Sequence, residues 1–542
     1  MCGIFALLNA NHKYSPSYIN DQFNLSQGRG PDNSILMHNI FDNENLCIGF
    51  HRLAINGLND DSNQPFIINK VILICNGEIF NYSKLFLKLN KTPQTNSDCE
   101  IILHMYCLYG MEYTLQQLDG EFAFILIDYR DEENIKLYSA RDPYGVRPLF
   151  VMEGVDSVFG FSSEMKQLNM FDKFGKIYQF SPGNYCSYKY LGTNWIKGKN
   201  KSYSNFPFYQ HKLHIDYSFY LEELRNQFTL AVQKRVNNTD RPIACLLSGG
   251  LDSSLVTALV KSMYDGKLET YSIGLQGSED LKYARIVADH LQTKHHEIIV
   301  TEEVFFDSIP EVIKKIESYD TTTVRASVGN YLIGKYISTK SNAKVIFNGD
   351  GADELMGGYL YFDYCNDPME FDRECKRLLK NIHYFDGLRS DRSISGHGLE
   401  CRTPFLDIPF VQHYLSIPAD IRCHKNETKM GKYLIREAFA NNIYGLLPRE
   451  ILFRKKEAFS DGVSSQDKSW YQIIQNRLET HPQKNVFSKM MNNNFSLEQK
   501  YYLYIFDQYY SNRRNIIPYY WMPNYIKAHD PSARTLQNYN MS

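Results

Sequence analysis

A turn at residues 246–254, Leu-Leu-Ser-Gly-Gly-Leu-Asp-Ser-Ser, constrains the fold of this chain more than any other stretch. The apolar residues 243–247 predict a buried strand, and residues 255–260 predict the start of a helix. Two glycines let the turn approach a ligand closely, and the helix points free N–H groups and its positive dipole end at the turn. Such a turn suits an anion, and Asp252 is placed to hold a divalent cation. Gly-Gly alone would equally suit a plain connection, and no Gly-Lys-Ser/Thr of a Walker A loop follows.

The composition indicates a globular protein of more than one domain. The chain has 542 residues, 43% hydrophobic and 22% charged, a length that suggests roughly two to four domains. A net charge of -2 gives no electrostatic reason to expect nucleic acid or an anionic membrane as a partner. No apolar run reaches membrane-spanning length, and the first eight residues do not resemble a signal peptide. The 11 cysteines lack paired short spacings, which favours reduced thiols and a cytoplasmic location.

Cys2 directly follows the initiator methionine. Removal of Met1 would leave a thiol and a free α-amine on the same residue. An α-amine has an ordinary pKa of about 8, so it can take the thiol proton during nucleophilic attack. A lone cysteine at position 2 would most simply be there by chance, so this prediction depends on the motifs that follow it.

Five short motifs follow in a fixed order: Met-Cys-Gly-Ile-Phe at 1–5, Arg-Gly-Pro-Asp at 29–32, His-Arg-Leu-Ala-Ile at 51–55, Asn-Gly-Glu-Ile-Phe-Asn at 76–81 and Ser-Asp at 97–98. Together they resemble the N-terminal-nucleophile glutaminase domain of class II glutamine amidotransferases. The resemblance implies a four-layer αββα sandwich. The buried apolar runs at 71–75 and 122–127 predict strands, although periodicity alone would indicate only mixed α and β structure.

This resemblance implies a glutamine-binding site around the Cys2 nucleophile. Arg52 would bind the α-carboxylate, and Glu78 and Asp98 would bind the α-ammonium. The Asn76 side chain and the Gly77 N–H would stabilise the oxyanion. Taken singly, Asn-Gly is more often a hairpin turn, and a lone arginine is most often a surface cation.

The apolar periodicity is lost between residues 185 and 214. Residues 192–201 are polar, basic and glycine-containing, which suits a linker or a surface hairpin. A helical pattern resumes near Ser218. We therefore expect two domains, residues 1–209 and 210–542.

The second domain alternates strands and helices. Residues 270–274 and 344–347 predict strands, and residues 279–290 predict a helix, so the sheet should be mostly parallel. Ligands bind such sheets at the carboxyl ends of the strands. One of these ends carries Asn-Gly-Asp-Gly-Ala-Asp-Glu at 348–354, whose carboxylates suit a Mg²⁺ site, a base or a helix cap.

The serine-glycine turn resembles the pyrophosphate loop of ATP pyrophosphatases that adenylate a substrate. The acidic turn resembles the Ser-Gly-Glu-Gly-Ser-Asp-Glu motif of asparagine synthetases, with Asp350 in place of Glu and Asn348 in place of Ser. Further segments match that family in order, and they are residues 320–327, 386–389, 400–407, 454–462 and 530–536. The resemblance thus covers nearly the whole chain.

The resemblance implies ATP-dependent, glutamine-hydrolysing conversion of aspartate to asparagine through β-aspartyl-AMP. It implies that ATP and pyrophosphate are bound by eight residues, namely Leu247, Ser248, Gly249, Gly250, Asp252, Ser253, Ile273 and Lys456. Asp252 and Asp353 would bind Mg²⁺, and Asp350 would be the base. Aspartate would be bound by Asp386, Arg389 and Arg325, the last of which would contact either phosphate or substrate.

Other interpretations stay open on the sequence. A related two-domain amidotransferase acting on a different carboxylate fits most motifs, and so does a non-catalytic regulatory paralogue. Without their motifs, Lys456 would be a solvated lysine and Arg389 a surface ion pair. The histidines at 290, 295 and 296 have no cysteine partners at ligand spacing, so no zinc site is expected. The expected partners are glutamine, aspartate and ATP, with a homodimer as an open possibility.

Overall fold

The computed structural model describes residues 1–10, 13–40, 43–204, 216–424, 429–440, 445–465, 468–491 and 494–540. No helix within these residues is both long enough and apolar enough to span a membrane. The expected domain boundary near residue 210 lies outside the described residues.

The first 204 residues form two six-stranded antiparallel sheets. Their twelve strands are β1 (Gly3–Leu8), β2 (Asn33–Ile40), β3 (Asn43–Arg52), β4 (Phe66–Ile68), β5 (Val71–Ile79), β6 (Gly120–Asp128), β7 (Lys136–Arg141), β8 (Phe150–Glu153), β9 (Phe159–Ser162), β10 (Lys176–Gln179), β11 (Asn184–Tyr190) and β12 (Trp195–Ser202). The first sheet has the order β10-β8-β9-β1-β3-β2, and the second has the order β12-β11-β7-β6-β5-β4.

The two sheets pack face to face and are covered by helices. Alternating apolar residues of β1, β5 and β6 fill the space between the sheets, among them Ile4, Ile74 and Ile125. Helix α1 (Pro16–Asn24) covers the outer face of the first sheet, and α2 (Tyr82–Leu89) and α3 (Ile101–Gln117) cover the second. The expected αββα sandwich is confirmed.

The polar stretch before the boundary forms the hairpin of β11 and β12, one of the two alternatives left open by the sequence. Trp195, at the start of β12, is fully buried between the sheets and anchors the hairpin. The hairpin therefore belongs to the sandwich and is not a linker.

The remainder of the chain is built on a five-stranded parallel sheet with the order β15-β14-β13-β16-β17. Its strands are β13 (Ile243–Leu246), β14 (Glu269–Leu275), β15 (Lys294–Val300), β16 (Val345–Phe347) and β17 (Glu400–Arg402). The three strands expected from apolar runs are confirmed. The two outer strands were not expected: β15 is half exposed, and β17 consists of three residues with buried, ion-paired charges.

Helices surround this sheet and form the rest of the second part of the chain. They are α4 (Tyr217–Asn237), α5 (Leu251–Met263), α6 (Glu279–Leu291), α7 (Glu302–Asp307), α8 (Ile309–Ile316), α9 (Thr321–Lys340), α10 (Ala352–Met356), α11 (Pro368–Asn381), α12 (Asp386–Ser395), α13 (Ile408–Ser416), α14 (Ala419–Arg422), α15 (Tyr433–Ala440), α16 (Arg449–Leu452), α17 (Phe459–Gly462), α18 (Trp470–Glu479), α19 (Lys484–Phe487) and α20 (Leu497–Tyr509). Helix α5 begins directly after Gly250, four residues earlier than its apolar pattern indicated.

The sandwich and the parallel-sheet part meet through buried ion pairs. Arg29 donates two hydrogen bonds to Asp391 of α12, at 2.8 and 3.0 Å, and a third to the Cys2 carbonyl at 2.9 Å. Because Arg29 and Asp391 are buried, this contact holds the start of β1 against the helix that also carries Asp386 and Arg389.

Candidate active sites

Cys2 lies one residue before β1, on the face of the first sheet that points toward the second. Alternate residues of a strand face the same side, so Cys2 points the same way as the buried Ile4 and Ala6. It packs against the core between the sheets. The half-buried thiol donates a hydrogen bond to the Leu53 carbonyl at 3.6 Å, and burial raises its pKa. A thiol in this setting needs a base before it can attack.

Met1 is attached to Cys2 and is completely buried. Its α-amine donates to the Leu399 carbonyl at 3.0 Å, and burial lowers the pKa of the amine to about 5. With Met1 in place, the free amine expected on Cys2 is not formed. The one-residue nucleophile and base therefore stays a prediction that depends on removal of Met1.

Arg52, the last residue of β3, carries a buried charge beside Cys2. Its hydrogen bonds to described residues go to neutral oxygens, including the Asn63 side chain at 2.7 Å and the Asn59 carbonyl at 3.1 Å. Burial lowers the pKa of the guanidinium, and the neighbouring Cys2 partly opposes that shift. A desolvated cation with neutral partners is suited to a carboxylate ligand.

Asn76 and Gly77 lie inside β5 and not in a hairpin turn. The Asn76 amide nitrogen is buried and has no hydrogen-bond partner among the described residues. A side chain at Gly77 would bring its Cβ within 2.5 Å of the Glu121 carbonyl, so only glycine fits there. A buried donor without a partner is costly, and an oxyanion would satisfy it.

Glu78 and Asp98 lie side by side. The Asn238 amide donates to Glu78 Oε2 at 2.6 Å and to Asp98 Oδ2 at 3.4 Å. Burial raises the pKa of both carboxyl groups, and their mutual repulsion adds to the shift of Glu78. Two adjacent buried carboxyls are suited to an ammonium group, which would restore both negative charges.

A second site opens at the carboxyl ends of β13, β14 and β16, where a cleft contains about 1330 Å³ of empty space, its open mouth included. Leu247 and Ile273 line its apolar side, and the serine-glycine turn forms its floor. Gly249 has a φ of +71°, and a Cβ there would lie 2.4 Å from the backbone of α6, so this position requires glycine. The hydroxyls of Ser248 and Ser253 lie 3.0 Å apart.

Asp252 and Asp353 face each other across the cleft and share one cation. The ammonium of Lys432 donates to Asp252 at 2.6 and 2.7 Å and to Asp353 at 2.8 Å. Lys456 donates to the other oxygen of Asp353 at 2.6 Å. Burial alone would raise the pKa of Asp353, but the two lysines hold it well below its usual range.

Sequence reasoning missed Lys432. It lies 180 positions after Asp252, and no motif surrounds it. Its backbone has a φ of +61°, in the left-handed region that is uncommon for lysine, and its side chain is almost fully buried. A buried ammonium held between two carboxylates in a cleft makes Lys432 a candidate functional residue.

Asp350, Arg389 and Asp386 form a continuous chain of charges. Arg389 donates to Asp350 at 2.7 Å and to Asp386 at 2.8 Å. Burial alone would raise the pKa of Asp386, but Arg389 lowers it to about 2. The Asn348 amide donates to the second oxygen of Asp350 at 2.6 Å, so the two departures from the family motif are in direct contact.

Tyr359 and Glu354 complete the wall beside Asp386. The Tyr359 hydroxyl lies 2.6 Å from Glu354 and 2.8 Å from Asp386. Burial, together with the charge of Asp386, raises the pKa of Glu354 well above its usual range. Glu354 can therefore stay protonated and share a hydrogen bond while Asp386 remains charged.

Arg325 does not line the cleft, so the structure gives no support to the expectation that it contacts phosphate or substrate. Its guanidinium donates to both oxygens of Glu498 and to both oxygens of Asp530, the latter at 2.7 Å. Arg325 is 3% exposed, and the Glu498 side chain is fully buried. Four of its five N–H donors are committed to these two carboxylates, which hold the guanidinium away from the cleft.

Sequence comparisons agree with this pair of sites. The family model for a glutamine amidotransferase domain matches residues 1–191, and the model for asparagine synthase matches residues 223–370 and 365–504. The glutamine-hydrolysing asparagine synthetase of Gallus gallus is 41% identical over 575 aligned positions, and that of Homo sapiens is 40% identical over 571, each covering 99% of both chains.

Among solved structures, a glutamine phosphoribosylpyrophosphate amidotransferase from B. subtilis matches 48% of this chain and 63% of its own, at 18% identity. Its TM-score of 0.31 is too low to bear on the fold. The family assignment depends on the full-length relatives and on the two matched models. The chain belongs to the family of glutamine-hydrolysing asparagine synthetases.

Proposed function

We propose that this chain synthesises L-asparagine from L-aspartate, using ATP for activation and ammonia released from L-glutamine. The observation that carries the proposal is that one chain holds both kinds of site. An orphaned buried amide and a desolvated arginine lie in the part that contains Cys2, and a lysine-bridged carboxylate cleft lies at the end of a parallel sheet. Full-length relatives named as glutamine-hydrolysing asparagine synthetases support the assignment.

The glutaminase reaction belongs to residues 1–209. The Cys2 thiolate attacks the glutamine side-chain carbonyl carbon, and the Asn76 amide and the Gly77 N–H stabilise the oxyanion. Arg52 binds the α-carboxylate, and Glu78 and Asp98 bind the α-ammonium. The Cys2 α-amine, exposed once Met1 is removed, takes the thiol proton and passes it to the departing nitrogen, so collapse of the tetrahedral intermediate breaks the C–N bond and releases ammonia. Water then attacks the thioester carbonyl, which releases glutamate and restores the Cys2 thiol.

The synthetase reaction belongs to residues 210–542. A carboxylate oxygen is a poor leaving group, so the β-carboxylate of aspartate first attacks the α-phosphorus of ATP. The bond from that phosphorus to the bridging oxygen breaks, and pyrophosphate leaves. The charge that develops on the departing pyrophosphate is stabilised by Lys456 and by donors of the serine-glycine turn, namely Ser248, Gly249, Gly250 and Ser253.

Asp252 and Asp353 would hold Mg²⁺ together with phosphate oxygens of ATP. Their carboxylates contact the same Lys432 ammonium, so their oxygens are close enough to share one cation. Carboxylate oxygens combined with substrate phosphates are the usual ligands of Mg²⁺. Bound there, the ion would supply neutralisation of the triphosphate charge.

Ammonia then attacks the β-carbonyl of aspartyl-AMP, the nitrogen gives up a proton, and AMP leaves. Asp350 is the proposed proton acceptor, and Asp386 and Arg389 bind the aspartate. Arg389 donates a hydrogen bond to Asp350 at 2.7 Å. A substrate carboxylate that replaces Asp350 as the hydrogen-bond acceptor of Arg389 would leave Asp350 free to accept the proton.

We propose a cytoplasmic location, because the eleven cysteines are present as thiols and a reducing compartment keeps them so. A screen of carboxylic acids for ATP-dependent pyrophosphate release, with ammonium as nitrogen donor, tests the choice of substrate. We expect release with L-aspartate. Release with a different acid and none with aspartate would replace asparagine synthesis with another amidation.

A further inference from the structure

We name residues 530–539 the latch segment. None of the steps of the two proposed reactions uses a residue of this segment. Its first part, residues 530–536, matches a segment of the asparagine synthetase family, yet none of its residues lines the cleft. Its partners are Arg325, which is also left without a role in the reaction, and residues 453–458, the loop between α16 and α17. This loop carries Lys456 and is named the lysine loop.

The latch segment contacts the residues on both sides of Lys456. Arg534 donates to Glu457 at 2.7 and 2.9 Å, and the Tyr539 hydroxyl lies 2.9 Å from both oxygens of that carboxylate. On the other side, the ammonium of Lys455 donates to the Tyr539 carbonyl. Lys456 itself turns the opposite way, toward Asp353.

The latch segment is itself fixed to the body of the protein. Asp530 accepts two hydrogen bonds from Arg325 of α9 at 2.7 Å, and Ser532 donates to the buried Asp461 of α17 at 2.8 Å. Arg534 also donates to the Ser465 carbonyl at 2.7 Å. The segment therefore connects helix α9, helix α17 and the lysine loop through side chains that are largely shielded from water.

From this geometry we propose that the latch segment positions Lys456 for ATP, with Arg534 and Tyr539 as positioning residues. Lys456 has a long, flexible side chain on a loop without regular structure, and holding such a side chain in one place costs conformational entropy. Fixing both neighbours removes backbone freedom before ATP binds. The ion pair of Arg534 and Glu457 is nearly enclosed, so it is screened less than a surface pair.

The proposal rests on the proposed role of Lys456 and extends it. The test measures ammonium-dependent pyrophosphate release by the full chain with Tyr539→Phe, Arg534→Ala and Arg534→Lys. We expect KM for ATP to rise about 3-fold in Tyr539→Phe and about 10-fold in Arg534→Ala, with partial recovery in Arg534→Lys. KM for aspartate and the glutaminase rate should stay at wild-type values, which a general loss of structure would not allow.

Arg477→Ala is the matched control, because it removes an arginine-carboxylate pair with Glu303 on the exposed surface of the same domain. Its kinetics should equal those of the wild type. If Arg534→Ala does not fold, KM for ATP of Tyr539→Phe still tests the latch, because this change removes only one hydroxyl. Unchanged KM for ATP in folded Tyr539→Phe and Arg534→Lys would overturn the latch.

Lys456→Met separates the two proposals. Full pyrophosphate release by Lys456→Met would refute the proposed role of Lys456 itself, and the latch with it. Loss of release in Lys456→Met, together with wild-type ATP kinetics in the latch variants, would refute the latch alone.

Discussion

Replacement of Lys432 by methionine tests the cleft most sharply, because no sequence motif marks this residue. The ammonium makes three hydrogen bonds of 2.6 to 2.8 Å to Asp252 and Asp353. Methionine keeps much of the volume and removes the charge. Lys456 would remain on Asp353 at 2.6 Å but lies 3.8 Å from Asp252, so one carboxylate would lose its close cation.

Removing one partner of a buried ion pair costs about 3–5 kcal/mol, and the two carboxylates here are slightly exposed, which favours the lower end. That cost bears on the free energy of unfolding. We expect kcat/KM for ATP to fall as well, by about 10²-fold, which corresponds to about 3 kcal/mol. The loss in kcat/KM arises because the cleft then lacks one positive charge beside the triphosphate, with or without Mg²⁺ at the two carboxylates. Glutamine hydrolysis in the same sample should be unaffected.

The assay is ammonium-dependent pyrophosphate release over a range of ATP concentrations. Lys468→Met is the control, since Lys468 pairs with Glu302 on the surface and such pairs contribute at most about 1 kcal/mol. Wild-type kcat/KM for ATP in folded Lys432→Met would refute the electrostatic reasoning for the whole cleft.

Three further predictions concern other residues. Asp350→Asn should slow ammonia attack by about 10²- to 10⁴-fold while aspartate-dependent exchange of pyrophosphate into ATP persists; loss of both would argue against a base. Arg325→Met should lower the free energy of unfolding by about 3–5 kcal/mol in a denaturant titration, because buried Glu498 loses its partner, while KM for aspartate stays constant. Burial raises the pKa of Glu78, so its ionised form disappears as the pH falls through that raised value. KM for glutamine should therefore rise at a pH above the usual glutamate range, and Glu78→Gln should flatten that profile.

The central architecture was predictable because its signals are local. Short apolar runs followed by glycine-rich turns mark β13 and β16, and the positive φ of Gly249 explains why the turn after β13 requires glycine. Strand β17 gave no such signal, because the charges of Glu400 and Arg402 are buried by pairing with each other. The position of β17 beside β16 depends on tertiary contacts, which the pattern of apolar residues in the sequence does not predict.

Arg325 shows why a matched motif does not fix a side chain's direction. Thr322, Ala326 and Asn330 of α9 line the cleft. At about 100° per residue, Arg325 projects about 100° away from their mean direction, where Glu498 and Asp530 lie. Lys432 shows the converse. Its ammonium contacts two residues of the cleft, although no sequence motif surrounds it.

The transfer of nitrogen from glutamine to aspartate tests the central claim most directly. The chain, freed of Met1, is incubated with ATP, Mg²⁺, aspartate and glutamine labelled with ¹⁵N in its side-chain amide, and the products are analysed by mass spectrometry. We expect labelled asparagine, AMP and pyrophosphate in equal amounts. Cys2→Ala should make none from glutamine but keep synthesis from added ammonium. Glutamate formation without labelled asparagine, or an unimpaired Cys2→Ala variant, would contradict the account.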